Sequence, residues 1–168
     1  AKNENEFVIN FDGAVGAMSQ DETKLRQCLT NFLSNAFKFT KNGKVTLDVR
    51  TEIKNDIEFI NFSVIDTGAG MSPEGVAKVF EEYTQAERST SANYGGTGLG
   101  LPISKKFAEL MGGDVTVTSK EGEGSVFSII VPRECAEYEN DVEKGLINLD
   151  SDQNIVVLVD DLSLIHIW

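Results

Sequence analysis

An α/β fold is predicted from three features of the sequence. Apolar residues recur at spacings of three and four in residues 21–39 and 100–111, as in amphipathic helices. Apolar stretches separated by turn residues at 45–65 and 115–131 are typical of antiparallel strand pairs. The 168 residues include 40% hydrophobic and 25% charged residues, which indicates one soluble globular domain with a short extension.

The first predicted elements are a short strand at residues 7–11 and a long helix. Ser19 to Glu22 fits a capping box, with Ser19 as the N-cap and Glu22 reaching back. The helix should run to about Phe39. Its apolar positions are Leu25, Leu29, Phe32, Leu33 and Ala36.

A hairpin follows the long helix. The turn signals Asn42-Gly43 and Asn55-Asp56 delimit an alternating strand at 45–49 and a more apolar strand at 57–65. The two strands should therefore pair antiparallel.

The middle of the chain predicts a short helix, a loop and a second amphipathic helix. Ser72 as N-cap and Pro73 at the first helical position begin the short helix, which should end near Phe80. Residues 83–98 are polar without a period and indicate a mobile loop. The next helix should end near Met111 and be stopped by Gly112. Its expected inward side chains are Ile103, Phe107 and Leu110.

The C-terminal third predicts a strand pair, a linker and a partial domain. Alternating Val115 and Val117 are followed by turn glycines at 122 and 124, and residues 126–131 form a buried strand closed by Pro132. We assign residues 1–133 to the domain and the acidic, aperiodic residues 134–154 to a linker. Residues 155–168 are interpreted as the truncated start of another domain, together with foreign residues at its C-terminal end, because residues 162–168 fit nothing upstream and a strand without a partner cannot fold alone.

Composition excludes several functions. The 15 basic and 27 acidic residues give a net charge of −12, which disfavours nucleic acids and anionic membranes as partners. No apolar run approaches the roughly 18 residues of a membrane span, and no signal-peptide core is present, so we expect a cytoplasmic fragment, whether or not a membrane anchors the full-length protein. The single histidine, His166, argues against histidine-based catalysis within the chain. Cys28 and Cys135 lack metal-ligand spacing and are expected to be free thiols.

Three polar residues of the long helix share one side. Asn31, Asn35 and Lys38 fall within roughly 60° of one another, away from the apolar stripe. A solvated face is one interpretation. The other is that two amide oxygens and an ammonium converge on phosphate and Mg²⁺, a hard cation that prefers oxygen ligands.

An aspartate and two glycines follow the apolar strand. Asp66 would be an acceptor in an apolar pocket, suited to an exocyclic amine such as that of adenine. Gly68 and Gly70 would let the backbone approach a flat ligand closely. A plain strand-to-helix turn is the alternative.

The third candidate is the glycine-rich stretch from Gly95 to Gly100, which opens directly onto a helix. Exposed N–H groups at a helix N-terminus form an anion site, and glycines permit the bending that a lid needs. A flexible linker is the alternative. Neither a Walker loop nor a dinucleotide fingerprint fits, because no Lys-Ser/Thr follows and no strand precedes the glycines.

These stretches together resemble the motifs of sensor histidine kinases. Asn31 to Thr40 resembles their N box, Asp66 to Met71 their first glycine box, and Gly96 to Leu101 their second glycine box. Phe80 to Gln85 is similar to their F box, with Tyr83 where Phe is common. The likeness covers residues 7–133, in the order and spacing of the family.

The resemblance implies the catalytic and ATP-binding domain of a hybrid histidine kinase, in the superfamily that includes gyrase, heat-shock chaperones and mismatch-repair ATPases. The implied fold is a two-layer α/β sandwich, in which helices cover one face of a mixed, mostly antiparallel sheet. The implied cofactors are ATP and Mg²⁺.

The resemblance also assigns roles to residues. Asn35 would bind Mg²⁺, Asp66 would meet adenine, Lys38 would reach phosphate, and residues 86–95 would form the lid. The implied catalytic residues are Asn31, Asn35 and Lys38, and the lid or F-box residues are Phe80, Tyr83 and Gln85. The implied ATP-binding residues are Asn35, Lys38, Asp66, Gly68, Gly70, Met71, Arg88, Gly96, Thr97, Gly98, Leu99 and Gly100.

Three departures from the family pattern bear on function. The phosphoacceptor helix with its histidine is absent and would lie upstream, so the chain should not phosphorylate itself. Ala92-Asn93 stand where the family often has Arg before Tyr-Gly-Gly, and Arg88 is the candidate substitute. Residues 155–161 look like the opening of a receiver domain. The implied partners are a helical dimerisation domain that carries the histidine, and a receiver domain or response regulator.

The expected reaction is transfer of the γ-phosphoryl group of ATP to that histidine. An ATP-hydrolysing clamp is the first alternative. In those proteins the corresponding motif resembles Glu-x-x-x-Asn, with the glutamate activating water. Here the glutamate position is occupied by Asn31, which cannot act as a base. A degenerate signalling scaffold and a protein serine kinase on the same fold are the others.

Overall fold

The computed structural model describes residues 4–11, 15–81 and 99–134, together with the backbone of 157–160 and 164–167. The elements in chain order are β1 (Glu6–Phe11), α1 (Glu22–Phe39), β2 (Lys44–Lys54), β3 (Ile57–Asp66), α2 (Pro73–Lys78), α3 (Gly100–Leu110), β4 (Asp114–Lys120), β5 (Gly124–Pro132), β6 (Val157–Asp160) and β7 (Leu164–Ile167).

A five-stranded sheet in the order β1-β2-β3-β5-β4 forms one layer. β1 pairs parallel to β2, and the other three pairings are antiparallel. The helices contact the sheet through the apolar core, so the predicted two-layer sandwich with a mixed, mostly antiparallel sheet is confirmed. The strand residues most deeply buried in the core are Val45, Leu47, Val49, Ile60, Phe62, Val64, Val115, Phe127, Ile129 and Val131.

Period-2 alternation explains this layer, because every second residue of β2, β3 and β5 points to the core. The β2–β3 hairpin turns at Asn55 and Asp56, as predicted. Both have positive φ, 52° and 61°, as a two-residue type I′ turn requires.

The predicted capping box of α1 is wrong. Asp21 is the N-cap, and its side chain accepts the Lys24 N–H at 2.9 Å. Ser19 lies outside the helix because its N–H donates to the Arg133 carbonyl at 2.8 Å. The side chain of Gln20 donates to the Pro132 carbonyl at 2.7 Å, so contacts with the end of β5 set where the helix begins.

The predicted inward face of α3 is also wrong in part. Ile103 and Leu110 are exposed, at 39% and 58%, whereas Phe107 packs against the core. The fully buried positions are Ser104 and Ala108. Small side chains face inward because α3 packs closely against α1 as well as against β4 and β5.

The ends of the helices follow the sequence signals more closely. Ser72 caps α2 by accepting the Gly75 N–H at 3.2 Å, with Pro73 at the first helical position, although α2 ends at Lys78, before Phe80. Gly112, with φ of 76°, ends the second amphipathic helix as predicted.

β6 and β7 pair antiparallel as a separate two-stranded sheet, so the strand expected to lack a partner has one. The assignments of a linker at 134–154 and of a receiver-like start at 155–168 stay predictions. Among the described residues, no helix combines the length and apolar character that crossing a membrane requires.

Candidate functional site

α1 connects the three stretches that the sequence singles out. Its middle contacts the first two turns of α3 through Asn31, and its C-terminal end contacts the loop after Asp66 through the carbonyl of Phe39. Eight residues separate Asn31 from Phe39, which is about 12 Å along a helix axis. The site is therefore an elongated strip beside α1.

Asn31 is partly buried against α3. Its Nδ2 donates to Ser104 Oγ at 3.1 Å. A Cβ atom placed on Gly100 would lie 2.4 Å from Asn31 Oδ1, so only glycine fits there without displacing the amide. For Asn31, the interpretation as part of a solvated face is therefore wrong.

Asn35 and Lys38 lie further along α1, and both are partly buried. Within the described part of the chain, we find no hydrogen bond from the Asn35 amide. Lys38 Nζ lies 4.9 Å from the centre of the Phe39 ring, a cation–π contact that leaves the ammonium at the C-terminal end of α1. An amide and an ammonium thus lie between Asn31 and the Asp66 loop.

Asp66 is the buried carboxylate of the site, with 6% of its surface exposed. Burial raises the pKa of this carboxyl group above its ordinary 3.8, because low-dielectric surroundings disfavour the charged form. The Gly68 N–H, which donates to Asp66 Oδ1 at 2.8 Å, opposes that rise, and so do the neighbouring Ser125 N–H and Thr40 hydroxyl. The carboxyl group is thus held in one orientation at the end of β3.

The loop after Asp66 is tied to both neighbouring elements. The Ala69 N–H donates to the Phe39 carbonyl at 3.3 Å, and the Ala69 carbonyl accepts the Gly122 N–H at 2.7 Å. Cβ atoms on Gly68 and Gly70 would meet backbone oxygens of Phe39 and Lys120, at 2.5 and 2.0 Å. At both glycines the protein's own backbone occupies the space where a side chain would project. The close approach of a flat ligand to this loop stays a prediction.

Met71 and Phe80 belong partly to the core. The Met71 N–H donates to Ser119 Oγ at 2.8 Å, and its side chain packs against the core. The Phe80 side chain also packs against the core, and Lys105 Nζ lies 5.5 Å from the centre of its ring. Both residues flank the site and also contribute to stability.

Of the second glycine box, the structure describes Leu99, Gly100 and Leu101. Leu99 is the N-cap of α3, and its apolar side chain makes no capping hydrogen bond to the first N–H groups of this helix. The remaining predicted residues lie outside the described residues. These are Tyr83, Gln85, Arg88, Gly96, Thr97 and Gly98.

The donor chemistry fits a nucleotide and a hard cation better than a metal centre built of protein alone. Among residues 4–11, 15–81 and 99–134, no three His, Cys, Asp or Glu side chains form a metal-binding group. Amide oxygens of Asn31 and Asn35 are ligands that Mg²⁺ accepts when phosphate oxygens and water complete its shell.

Sequence reasoning missed three supporting residues. Thr40 lowers the pKa of the neighbouring Asp66 carboxyl group, Ser104 Oγ accepts a hydrogen bond from Asn31, and Ser119 Oγ accepts one from the Met71 backbone N–H. Small hydroxyl residues carry no periodic signal, and their partners lie far away in the chain. Only the position of Thr40, directly after the predicted helix, pointed to a role at the helix end.

Comparisons with known proteins agree with this geometry. The profile of the histidine kinase-, DNA gyrase B-, and HSP90-like ATPase family matches residues 20–134. The chain is 47% identical over 116 residues to the sensor protein GacS of Pseudomonas syringae pv. syringae, covering 67% of the chain and 13% of GacS. It is 37% identical over 147 residues to the aerobic respiration control sensor protein ArcB of Escherichia coli, covering 86% of the chain and 18% of ArcB. The chain thus spans less than a fifth of the length of these relatives.

Two solved structures are similar in fold. Full-length ShkA in complex with AMPPNP superposes with a TM-score of 0.65 at 35% identity, covering 79% of the chain and 26% of ShkA. The nucleotide-free catalytic domain of the histidine kinase ThkA superposes with a TM-score of 0.64 at 26% identity, covering 79% of the chain and 82% of that domain.

Proposed function

Since the chain belongs to the family of histidine kinase-, DNA gyrase B-, and HSP90-like ATPases, we propose that it binds ATP with Mg²⁺ and passes the γ-phosphoryl group to a histidine on another domain. The observation that carries the proposal is the position of α1, which joins Asn31, Asn35 and the Asp66 loop along one strip. AMPPNP bound to the similar protein ShkA supports it.

Each residue has a role set by its chemistry. Asp66 accepts a hydrogen bond from the adenine amine, because it is a buried, oriented carboxylate. Asn35 and Asn31 offer amide oxygens to Mg²⁺, and Lys38 offers a positive charge to phosphate. When bound, Mg²⁺ neutralises charge on the phosphate oxygens. The chain's work is to position and neutralise, since a loose phosphoryl-transfer transition state needs little covalent help.

Asn31 favours transfer over hydrolysis. A hydrolytic clamp needs a carboxylate here to activate water, and a carboxamide cannot accept a proton. We therefore expect slow ATP hydrolysis, and a gain in hydrolysis for Asn31→Glu. Rapid hydrolysis by the unsubstituted chain would favour the clamp.

Calorimetric titration with ATP and Mg²⁺ tests binding. Asp66→Asn should weaken ATP affinity by about 1.5–3 kcal/mol, the scale of a hydrogen bond to a charged group. The matched control is Asp56→Asn in the exposed β2–β3 turn, which should bind like the native chain. An unchanged dissociation constant in Asp66→Asn would remove Asp66 from the site, and no binding at all would favour a scaffold.

The acceptor needs a separate assay. The chain is incubated with radiolabelled ATP and helical domains that carry either histidine or serine as acceptor. We expect an acid-labile, base-stable phosphoryl group on the histidine domain alone. Label on serine would support the serine kinase instead. A receiver domain added afterwards should withdraw the label from histidine, as the proposed partnership requires.

A further inference from the structure

The contact between α1 and α3 is organised around one buried hydroxyl. Ser104 lies in the second turn of α3 with 2% of its surface exposed. Its Oγ donates to the Gly100 carbonyl at 3.0 Å, and the same oxygen accepts Asn31 Nδ2 at 3.1 Å. The Ser104 backbone carbonyl accepts a hydrogen bond from Cys28 Sγ at 3.5 Å. Both the side chain and the backbone of Ser104 therefore contact α1.

The number of hydroxyl protons determines the direction of these bonds. A serine hydroxyl has one proton, and a carbonyl oxygen can only accept. Because Ser104 gives its proton to Gly100, it can only accept from Asn31. An inverted amide would place the Asn31 oxygen against the Ser104 oxygen with no proton between them. The NH₂ group of Asn31 is therefore held at Ser104.

We propose that Ser104 is a positioning residue, which orients the Asn31 side chain so that its amide oxygen faces the nucleotide site as a metal ligand. This inference rests on the proposed function, since it states which atom of Asn31 meets the magnesium–phosphate group. With the NH₂ group held at Ser104, the amide oxygen lies beside Gly100, where the second glycine box joins α3. An inverted amide would present NH₂ there, which a cation repels.

The same contact couples two binding elements. Gly100 is the last glycine of the second glycine box and the first residue of α3, and its carbonyl, Ser104 and Asn31 form one hydrogen-bonded chain. A shift of the first turn of α3 would therefore change the orientation of Asn31. Through Ser104, the position of Gly100 and the first turn of α3 sets how well α1 binds the cation.

Ser104→Ala tests the proposal with little risk to the fold, because alanine fits the buried space and favours helix. AMPPNP is titrated into the full chain with Mg²⁺ and with EDTA. We expect affinity to fall about threefold to tenfold with Mg²⁺, as for one neutral hydrogen bond, and to stay unchanged in EDTA. The matched control is Ser34→Ala, which removes a hydroxyl bonded to the Asn31 backbone carbonyl at 3.1 Å and should change neither value.

A double-mutant comparison separates positioning from a merely structural role. If Ser104 acts through Asn31, Ser104→Ala should cause no further loss of affinity in Asn31→Ala. Additive losses, or an equal loss in EDTA, would overturn the proposal. So would an unchanged affinity in Ser104→Ala.

A readout without nucleotide keeps this inference separate from the proposed function. In NMR spectra, the side-chain NH₂ protons of Asn31 should be slowed in exchange with water, and Ser104→Ala should abolish that protection. Fast exchange in the native chain would overturn the positioning role. Protection of these protons in a chain that fails to bind AMPPNP would retain the orientation of Asn31 and overturn the proposed function.

Discussion

Ser119 Oγ, on β4, accepts the backbone N–H of Met71 at 2.8 Å and donates to the Gly124 carbonyl at 2.9 Å. The Ser125 hydroxyl oxygen lies 2.9 Å from Ser119 Oγ. One hydroxyl thus fastens the loop after Asp66 to the β4–β5 turn. The β4–β5 strand pair therefore holds the first glycine box in place through Ser119.

Ser119→Ala should loosen this loop. We expect the free energy of unfolding to fall by about 1–3 kcal/mol, because two partly buried hydrogen bonds are lost, one from the Met71 N–H and one to the Gly124 carbonyl, each contributing about 0.5–1.5 kcal/mol. ATP affinity should fall as well, and calorimetry and urea denaturation measure the two effects. Ser63→Ala, which removes the Ser63–Ser128 hydroxyl pair of β3 and β5, is the matched control. It should leave ATP affinity unchanged, and equal losses of affinity in both variants would contradict the role of Ser119.

Asp66 should give the folding stability a distinctive pH dependence. Its pKa is raised in the folded state by burial, so the folded chain binds this proton more tightly than the unfolded chain. The resulting stability is complete below the ordinary pKa of 3.8 and is lost as pH rises through the folded value.

Asp66→Asn removes that titration. The stability of the Asp66→Asn variant minus that of the native chain should therefore increase as pH rises above 3.8 and then level off. Urea denaturation across this range measures the difference. Subtracting the two chains cancels Asp21 and Glu52, whose pKa values are lowered and whose effects have the opposite sign. A difference that stays flat with pH would contradict the prediction.

Gly100→Ala should affect the site more than the fold. The added Cβ would come within 2.4 Å of Asn31 Oδ1, and a side-chain amide can move aside more easily than backbone. We expect weaker binding of ATP with Mg²⁺ and a change of less than about 1 kcal/mol in the free energy of unfolding, because alanine also favours helix.

Gly75→Ala in α2 is the control for Gly100→Ala, since its Cβ would meet nothing closer than 3.5 Å. It should gain up to about 1 kcal/mol of stability and bind ATP normally. Equal ATP affinities in the two variants would show that Gly100 does not protect the position of Asn31.

Cys28 should be an unreactive thiol. Burial raises its pKa to about 11, and the side chain is fully buried beside Ser104. At pH 8, about one such thiol in a thousand would be ionised, and thiolate is the reactive form. In Cys135→Ser, a thiol-reactive disulfide reagent should therefore label the chain only after unfolding. Rapid labelling of the folded chain would contradict the buried position of α1.

Much of the local structure could be read from the sequence, because each signal lies within a few residues. Ser72-Pro73 begins α2, Asn55-Asp56 turns the β2–β3 hairpin, and alternation along β2 marks its buried face. The four motifs in order also indicated the family before any fold was known. Short-range sterics and periodic burial are sufficient for such features.

Long-range packing explains the rest. The N-cap of α1 is Asp21 and not the predicted Ser19, because Ser19 and Gln20 form hydrogen bonds with the end of β5, more than a hundred residues away. The inward face of α3 depends on how closely α1 approaches, which favours Ser104 over Ile103. Apolar periodicity reports which side of a helix is hydrophobic, but it carries no information about which polar atom will find a partner there, because that partner is supplied by another part of the chain.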